Sequence, residues 1–354
     1  MWQGILGHDE QVDRFRRAIR RNRLASTYLF VGPSGIGKKQ FAFALAKALL
    51  CQQRASDASP DADPLEPCGS CDSCRMLDAG SHPDLDLVGL PKDKSTLPLD
   101  LFLGSKEHRN QEGLCHRIAL RPYLGGRKVA IIDDADHFSA ESANCLLKTL
   151  EEPPPRSLMI LIGTTPSKQL PTIRSRSQVV RFQPLSREVL AEILRAGGDT
   201  SDPDALDRLA TYGEGSLERI QALADPALWQ FRSQLLHDLS SGQANPVRFA
   251  KAVQAFVDEA GKEPAQRRDR LRTVIGFAQE FHRAAMRCEA GGDVEGDDLL
   301  RSALSKAQQN LAKRDPIGSL DASLRALEHI DRNANVGLVV QCWSEEIAGS
   351  RISA

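Results

Sequence analysis

The 354-residue sequence has no long apolar run and no excess of either charge. No stretch approaches the ~20 apolar residues that a membrane-spanning helix needs, and residues 1–20 are polar, unlike a secretory leader. Lys and Arg total 46 against 47 for Asp and Glu, so any DNA contact must come from a local face. These absences predict a cytoplasmic protein without a membrane partner. Its eight cysteines are then thiols or metal ligands rather than disulfides.

A glycine-rich loop lies between a predicted strand and a predicted helix. The segment reads Tyr28-Leu29-Phe30-Val31 and then Gly32-Pro33-Ser34-Gly35-Ile36-Gly37-Lys38. The glycines let backbone N–H groups converge on one anion, and the helix N-terminus and the lysine ammonium add positive charge. The spacing predicts a loop that binds the phosphates of ATP or ADP, with a ligand-free glycine turn as the alternative.

Lys39 stands where such loops carry Ser or Thr. That hydroxyl is normally a ligand of Mg²⁺, and an ammonium cannot replace it. The sequence therefore predicts that the loop holds a nucleotide, whereas Mg²⁺ binding and hydrolysis stay open.

Asp133 and Asp134 directly follow the apolar run 129–132, which is typical of a strand buried on both faces. In P-loop enzymes the first acid of such a pair holds Mg²⁺ and the second orients or activates water. Asp134 is one methylene shorter than the usual Glu, so its reach is in doubt. The alternative is a pair of strand-end acids that cap the next turn.

Four cysteines lie near one loop: Cys51, Cys68, Cys71 and Cys74. Four thiolates suit tetrahedral Zn²⁺ and leave no open position, so the predicted role is structural. An iron–sulfur cluster and unlinked thiols are the alternatives. The other four cysteines, at 115, 145, 288 and 342, are expected to be packing residues.

The order of the predicted elements indicates an α/β domain followed by helices. Apolar strands alternate with helices up to residue 184, which predicts a parallel sheet. Thr165 follows the strand 158–163, where it could touch a phosphate or end a turn. Arg176 and Arg219 lie in polar segments, where a solvent-exposed arginine is the simpler local interpretation.

The motifs together resemble the AAA+ subunits of the bacterial replicative clamp loader. The delta-prime type of DNA polymerase III is the nearest match, and the gamma/tau type is second. The resemblance depends on the cysteine group and on the segments Asp133-Asp134-Ala135-Asp136, 143–154, 170–178 and 333–338. In 170–178, Ser177 replaces the cysteine of the family's Ser-Arg-Cys motif.

The resemblance implies three domains. They are an α/β AAA+ P-loop domain with a parallel sheet over residues 1–184, a small helical lid over 185–224 and an all-α collar over 225–354. The AAA+ domain would carry a zinc module inserted at about residues 51–74.

The resemblance also implies roles for individual residues. The loop residues 32–39 would contact nucleotide phosphates, Asp133 and Asp134 would be the acidic pair, and Thr165 the first sensor. The four clustered cysteines would bind zinc.

Two arginines receive roles only from the resemblance. Arg176 would be a finger that acts in trans on a neighbouring ATPase subunit, and Arg219 would be the second sensor of the nucleotide.

The family acts as a hetero-pentamer of gamma/tau-type and delta-type subunits that loads the sliding clamp onto primer-template DNA. A delta-prime subunit that contributes Arg176 is the first hypothesis, because Lys39 removes the hydroxyl that motor subunits carry. A gamma/tau-like motor that hydrolyses ATP is the second. A zinc-stabilised scaffold with a vestigial loop is the third.

Overall fold

The computed structural model describes residues 2–53, 62–91, 94–124, 126–198, 203–241, 245–293, 296–311 and 315–349. The chain divides into two compact units, residues 1–220 and 221–354. This division is coarser than the predicted one, whose boundaries at residues 184 and 224 stay a prediction.

A five-stranded parallel sheet forms the centre of the first unit, in the order β2-β3-β4-β1-β5. The strands are β1 (Thr27–Val31), β2 (Leu85–Val88), β3 (Lys128–Ile132), β4 (Ser157–Gly163) and β5 (Gln178–Arg181). Every residue of β1, β3 and β4 is buried. Such strands are typical of a parallel sheet covered on both faces, and the predicted α/β class is confirmed.

Helices cover both faces of this sheet. They are α1 (Asp9–Arg20), α2 (Lys38–Leu50), α3 (Asp72–Asp78), α4 (Asp100–Leu103), α5 (Gly113–Ala119), α6 (Ala140–Glu151) and α7 (Pro171–Ser175). After β5 the chain continues with α8 (Arg187–Gly197), α9 (Pro203–Tyr212) and α10 (Leu217–Leu223). One core joins Phe30 of β1 to Phe15 and Phe41, and the other joins Leu29 to Leu146. Successive side chains of β1 thus enter opposite cores, so the strand is packed on both faces of the sheet.

A serine side chain caps the start of the helix α6. Ser139 is its N-cap, and its hydroxyl accepts a hydrogen bond from the Ser142 amide at 3.0 Å. This bond satisfies one of the N–H groups that a helix start leaves without a partner. The cap thereby fixes the turn that leads from the Asp133-Asp134 pair into the helix.

The described residues of the second unit are helical outside their connecting segments. After α10 come α11 (Pro226–Ser241), α12 (Pro246–Asp258), α13 (Pro264–Glu289), α14 (Asp298–Leu311), α15 (Pro316–Asp331) and α16 (Val336–Gly349). Arg232 is completely buried in this unit, and its guanidinium lies 2.8 Å from Asp297 and 3.4 Å from Glu280. Across the described part of the chain, no helix is both long and apolar enough to cross a membrane.

Candidate nucleotide and zinc sites

The glycine-rich loop lies at the carboxyl edge of the sheet, between the end of β1 and the start of α2. Gly35 and Gly37 have φ angles of 71° and 91°, in the left-handed region that favours glycine. The Gly32 amide donates to the carbonyl of Thr164 at 3.0 Å, which joins the loop to the end of β4. The loop therefore has the strand–loop–helix setting that a phosphate site requires.

Lys38 folds back into this loop. Its side chain is buried, and its ammonium donates to the carbonyl oxygens of Gly32, at 2.7 Å, and of Pro33. Burial lowers the pKa of Lys38, and the carboxylates of Asp133, Asp136 and Glu218 oppose that shift. The lysine thus already serves as the cation of the loop, held by backbone oxygens that a phosphate would replace.

Lys39 and Asp133 form an ion pair at the same edge. The Lys39 Nζ lies 3.0 Å from Asp133 Oδ2, and their side chains are 64% and 22% exposed. Mg²⁺ needs oxygen ligands, but here the residue expected to provide a hydroxyl carries an ammonium paired to the acid. The side chains present therefore do not fit a Mg²⁺ ion.

Asp134, the second acid, is directed elsewhere. Its backbone has a φ of 55°, and its Oδ2 accepts a hydrogen bond from the Leu90 amide at 3.3 Å. It is exposed and links the end of β3 to the segment after β2. These contacts describe a strand-end acid, and a role in activating water stays a prediction.

Asp136 is the centre of a polar network that the sequence analysis missed. Its carboxylate, only 7% exposed, accepts hydrogen bonds from the Thr164 amide and from Gln169 Nε2, both at 2.8 Å. Thr165, the predicted sensor, is exposed, and its hydroxyl lies 3.1 Å from that of Ser167. The threonine bonded to the acidic segment is thus Thr164. The Asp133-to-Asp136 run contained the signal, but nothing local distinguished the buried acid.

The start of α10 packs directly on the glycine-rich loop. The Leu217 amide donates to the Gly35 carbonyl at 2.8 Å, and a Cβ placed on Gly35 would overlap Ser216 and Glu218. The absence of a side chain at residue 35 therefore permits this close approach. Ser216 and the acid Glu218 both lie against the loop.

Arg219 is bound locally. Its Nη1 lies 2.9 Å from Glu214 Oε2, and its Nε donates to the Tyr212 carbonyl at 2.9 Å. These partners lie in the last part of α9 and the turn after it. Contact of Arg219 with a nucleotide stays a prediction, and it would require this pairing to open.

Arg176 lies at the surface directly after α7. Its Nη2 is 2.7 Å from Glu151 Oε1 at the end of α6, and its Nη1 donates to the Thr172 carbonyl at 3.1 Å. The arginine side chain is 34% exposed and that of Glu151 is 50% exposed. The guanidinium is therefore accessible and held in one orientation by a solvent-facing acid.

The four predicted zinc ligands come together. The sulfur atoms of Cys51, Cys68, Cys71 and Cys74 all lie within 4.8 Å of one another. Cys51 follows α2, and Cys71 is the N-cap of α3, so two helix ends fix the group. A tetrahedron with Zn–S bonds of ~2.3 Å places sulfurs ~3.8 Å apart, so this donor set fits structural zinc.

Backbone amides favour the thiolate form of Cys68, whereas burial raises the pKa of Cys51 and of Cys74. The amide of Cys68 donates to the Cys51 sulfur and that of Cys71 to the Cys68 sulfur, each at 3.3 Å. Amide donors from Ser70 and Cys71 lower the pKa of the Cys68 thiol to about 6. Since zinc binds thiolates, Cys68 is the ligand that is most readily deprotonated for a metal, and binding at the other buried thiols would release protons.

A second thiol pair, Cys115 and Cys145, packs against the core beside β3 as predicted, and it also borders a cavity. Cys115 of α5 and Cys145 of α6 line an open cavity of about 380 Å³ together with Lys148 and Thr149. The hydrogen bond from the Cys145 thiol lowers the pKa of Cys115 to about 7 and raises that of Cys145. Cys342 is exposed rather than packed.

Comparison with known families agrees with this architecture. A family model described as "DNA polymerase III, delta subunit" matches residues 7–186, which is more than half of the chain. The chain belongs to this family.

Curated relatives include both types of subunit that the sequence resembles. The chain is 33% identical to the DNA polymerase III subunit delta' of Pseudomonas aeruginosa over 217 residues, 61% of each protein. It is 35% identical to the delta' subunit of Bacillus subtilis over 50% of this chain and 48% of that protein. It is 28% identical to the tau subunit of Escherichia coli over 88% of this chain and 47% of that protein. The alignments thus span about half to three fifths of these relatives.

A solved structure covers most of the chain at low similarity. It is a gamma subunit-related protein of DNA polymerase III from Thermotoga maritima, with a TM-score of 0.45 and 14% identity over 96% of this chain and 99% of that chain.

Proposed function

We propose that this protein is a delta-prime-type subunit of a replicative clamp loader. It would act with gamma/tau-type and delta-type subunits in a hetero-pentamer that loads a sliding clamp onto primed DNA. Membership of the DNA polymerase III delta family and the delta' relatives support this proposal. The ion pair between Lys39 and Asp133 favours the delta-prime role over a motor role, because an ammonium stands where Mg²⁺ would need an oxygen ligand.

The catalytic contribution that we assign to this subunit is Arg176. A guanidinium given to a neighbouring ATPase site stabilises charge on the transferred phosphoryl group. The surface position of Arg176 supports this role, because the acid that it contacts, Glu151, is itself exposed. The Arg176 guanidinium could leave the Glu151 carboxylate and bind a neighbour's triphosphate without any change in the core.

Reconstitution of the clamp loader tests the role of Arg176. We expect Arg176→Ala to lower the rate of clamp loading sharply, since loss of an arginine finger costs ~10³-fold or more in hydrolysis. Arg174→Ala is the matched control, because Arg174 lies in α7, two residues earlier, and is also exposed. Normal loading by the Arg176 variant, with the complex intact, would refute the proposed finger.

The four-cysteine site is proposed to hold structural zinc. Cys51, Cys68, Cys71 and Cys74 would be its ligands, and the ion would join the end of α2 to the start of α3. A closed set of four sulfurs leaves no position for a substrate, so the metal would stabilise the fold and take no part in a reaction.

A gamma/tau-like motor is the second candidate function. The complete glycine-rich loop with Lys38 favours it, as does the long alignment with the tau subunit. Steady-state ATP hydrolysis by the isolated chain separates the two candidates. Turnover that Lys38→Ala abolishes would favour the motor, whereas loading that depends on Arg176 without such turnover would favour the delta-prime role.

A further inference from the structure

The ion pair between Lys39 and Asp133 lies where a nucleotide site of this kind would hold a divalent cation. Lys39 is the second residue of α2, and Asp133 directly follows β3. In P-loop enzymes the side chains at these two places are the protein groups that hold Mg²⁺. Here they hold each other, with 3.0 Å between Nζ and Oδ2.

An ammonium can perform part of the metal's task. It carries three donors, which bond to carboxylate and phosphate oxygens alike. The Lys39 side chain is 64% exposed, so donors remain available on its solvent side while one is used by Asp133. A divalent cation at the same place would meet a like charge, so the lysine and the metal compete for one position.

The acids around the loop explain why a second cation is needed. The carboxylates of Asp133, Asp136 and Glu218 all act on the Lys38 ammonium, and Glu218 is brought to the loop by the start of α10. A phosphate that enters this loop must approach these negative charges. Lys38 alone offers one positive charge against them, and Lys39 offers the second.

We propose that Lys39 is a built-in counter-ion and that the loop binds the phosphates of a nucleoside diphosphate or triphosphate without a divalent cation. This inference rests on the proposed nucleotide-binding role of the loop. It also accounts for a site that holds a nucleotide and lacks the metal ligands for hydrolysis.

Titration of the full chain with the fluorescent nucleotide mant-ADP, in excess Mg²⁺ and in excess EDTA, tests the inference. We expect the wild-type protein to bind with the same Kd in both buffers. Lys39→Thr restores a hydroxyl and removes the ammonium. This variant should bind mant-ADP about ten-fold more weakly in EDTA than in Mg²⁺, because without the metal it lacks one charge-assisted bond to the phosphates. Lys39→Arg keeps the charge and should remain independent of the metal.

Lys47→Thr is the matched control for Lys39→Thr. Lys47 lies on the same helix, but its ion pair is with Asp78, outside the loop. This variant should bind mant-ADP like the wild type in both buffers.

Three results would contradict the inference, and they differ from one another. If the wild-type protein binds mant-ADP in Mg²⁺ but not in EDTA, Lys39 is not a counter-ion, although the loop still binds a nucleotide. If Lys47→Thr binds mant-ADP more weakly in EDTA than in Mg²⁺, the effect is not specific to Lys39 and its proposed role is overturned. Absence of mant-ADP binding in both buffers, with clamp loading retained, overturns the nucleotide site itself and leaves the proposal for Arg176 standing.

Discussion

Arg176 and Glu151 are joined by an ion pair of 2.7 Å between the end of α6 and the residue after α7. The two residues are 25 positions apart, and each belongs to a segment that the sequence singled out. The acids Asp133 and Asp134 follow β3, and α6 comes next along the chain. The ion pair links the end of α6 to the arginine that is proposed to act on a neighbouring subunit. Glu151 and the Thr172 carbonyl are thus the two groups that hold this guanidinium in its orientation.

We expect Glu151→Gln to leave the fold intact and to release Arg176. An ion pair between partly exposed side chains contributes at most ~1 kcal/mol, so the free energy of unfolding in urea should change by less than that. Clamp loading by the reconstituted complex should equal or exceed the wild-type rate. Glu152→Gln serves as the adjacent control. A loss of loading as large as that of Arg176→Ala would show that Glu151 has a positive role of its own.

Asp136→Ala should destabilise the protein strongly. The substitution leaves the Thr164 amide and the Gln169 side chain without their buried acceptor, which costs about 3 kcal/mol. Urea or thermal unfolding measures the change. Asp134→Asn, at an exposed acid two residues earlier, keeps a residue type that tolerates its φ of 55° and should cost less than about 1 kcal/mol. Equal losses for the two variants would contradict the network described for Asp136.

Cys71→Ser should remove bound zinc. A serine hydroxyl is a much poorer zinc ligand than a thiolate, and the closed four-sulfur site has no substitute among its members. Metal analysis of purified protein should find zinc in the wild type and little in the variant, with a lower melting temperature in the variant. Cys342→Ser, at an exposed cysteine, should keep its zinc. Iron in the wild-type protein, or the absence of any metal, would refute the assignment.

Cys115 should react with iodoacetamide near neutral pH. Its pKa is lowered to about 7, chiefly by the hydrogen bond from Cys145, so the reactive thiolate is the minority form below that pH and the majority above it. The rate of alkylation, followed by mass spectrometry, should rise with a midpoint near pH 7.

Two variants of Cys145 test the cause of this shift. Cys145→Ala removes the donor and should move the midpoint to higher pH, whereas Cys145→Ser keeps a hydroxyl donor and should move it less. A midpoint that is the same in both variants and in the wild type would show that the hydrogen bond does not set the pKa of Cys115.

Local features of the sequence were enough to predict several elements. Glycine spacing after a buried strand identified the loop at 32–38, and an apolar run identified β3, because both signals are contained in a few consecutive residues. The CxxCxxC spacing brought three of the four sulfurs close along the chain, and the end of α2 supplied the fourth.

Other features depend on residues that are far apart in sequence. Arg232 has no local sign of burial, yet it is fully enclosed beside Asp297, 65 residues away. The preference for Thr164 over Thr165 in the Asp136 network is decided by which side chain faces that acid at the end of β4. The contact of Glu218 with Gly35 similarly requires α10 to fold back onto the loop.

The chemical parts of this protein follow from the order of its residues alone: a glycine-rich loop with Lys39 in place of a hydroxyl, an acidic strand end and four clustered thiols. These are properties of residue type and short spacing, which the chain carries before it folds. The tertiary structure alone decided how the parts are paired. The strand order sets which side chains meet at the sheet edge, and there it brings Lys39 to Asp133 across almost one hundred residues of sequence.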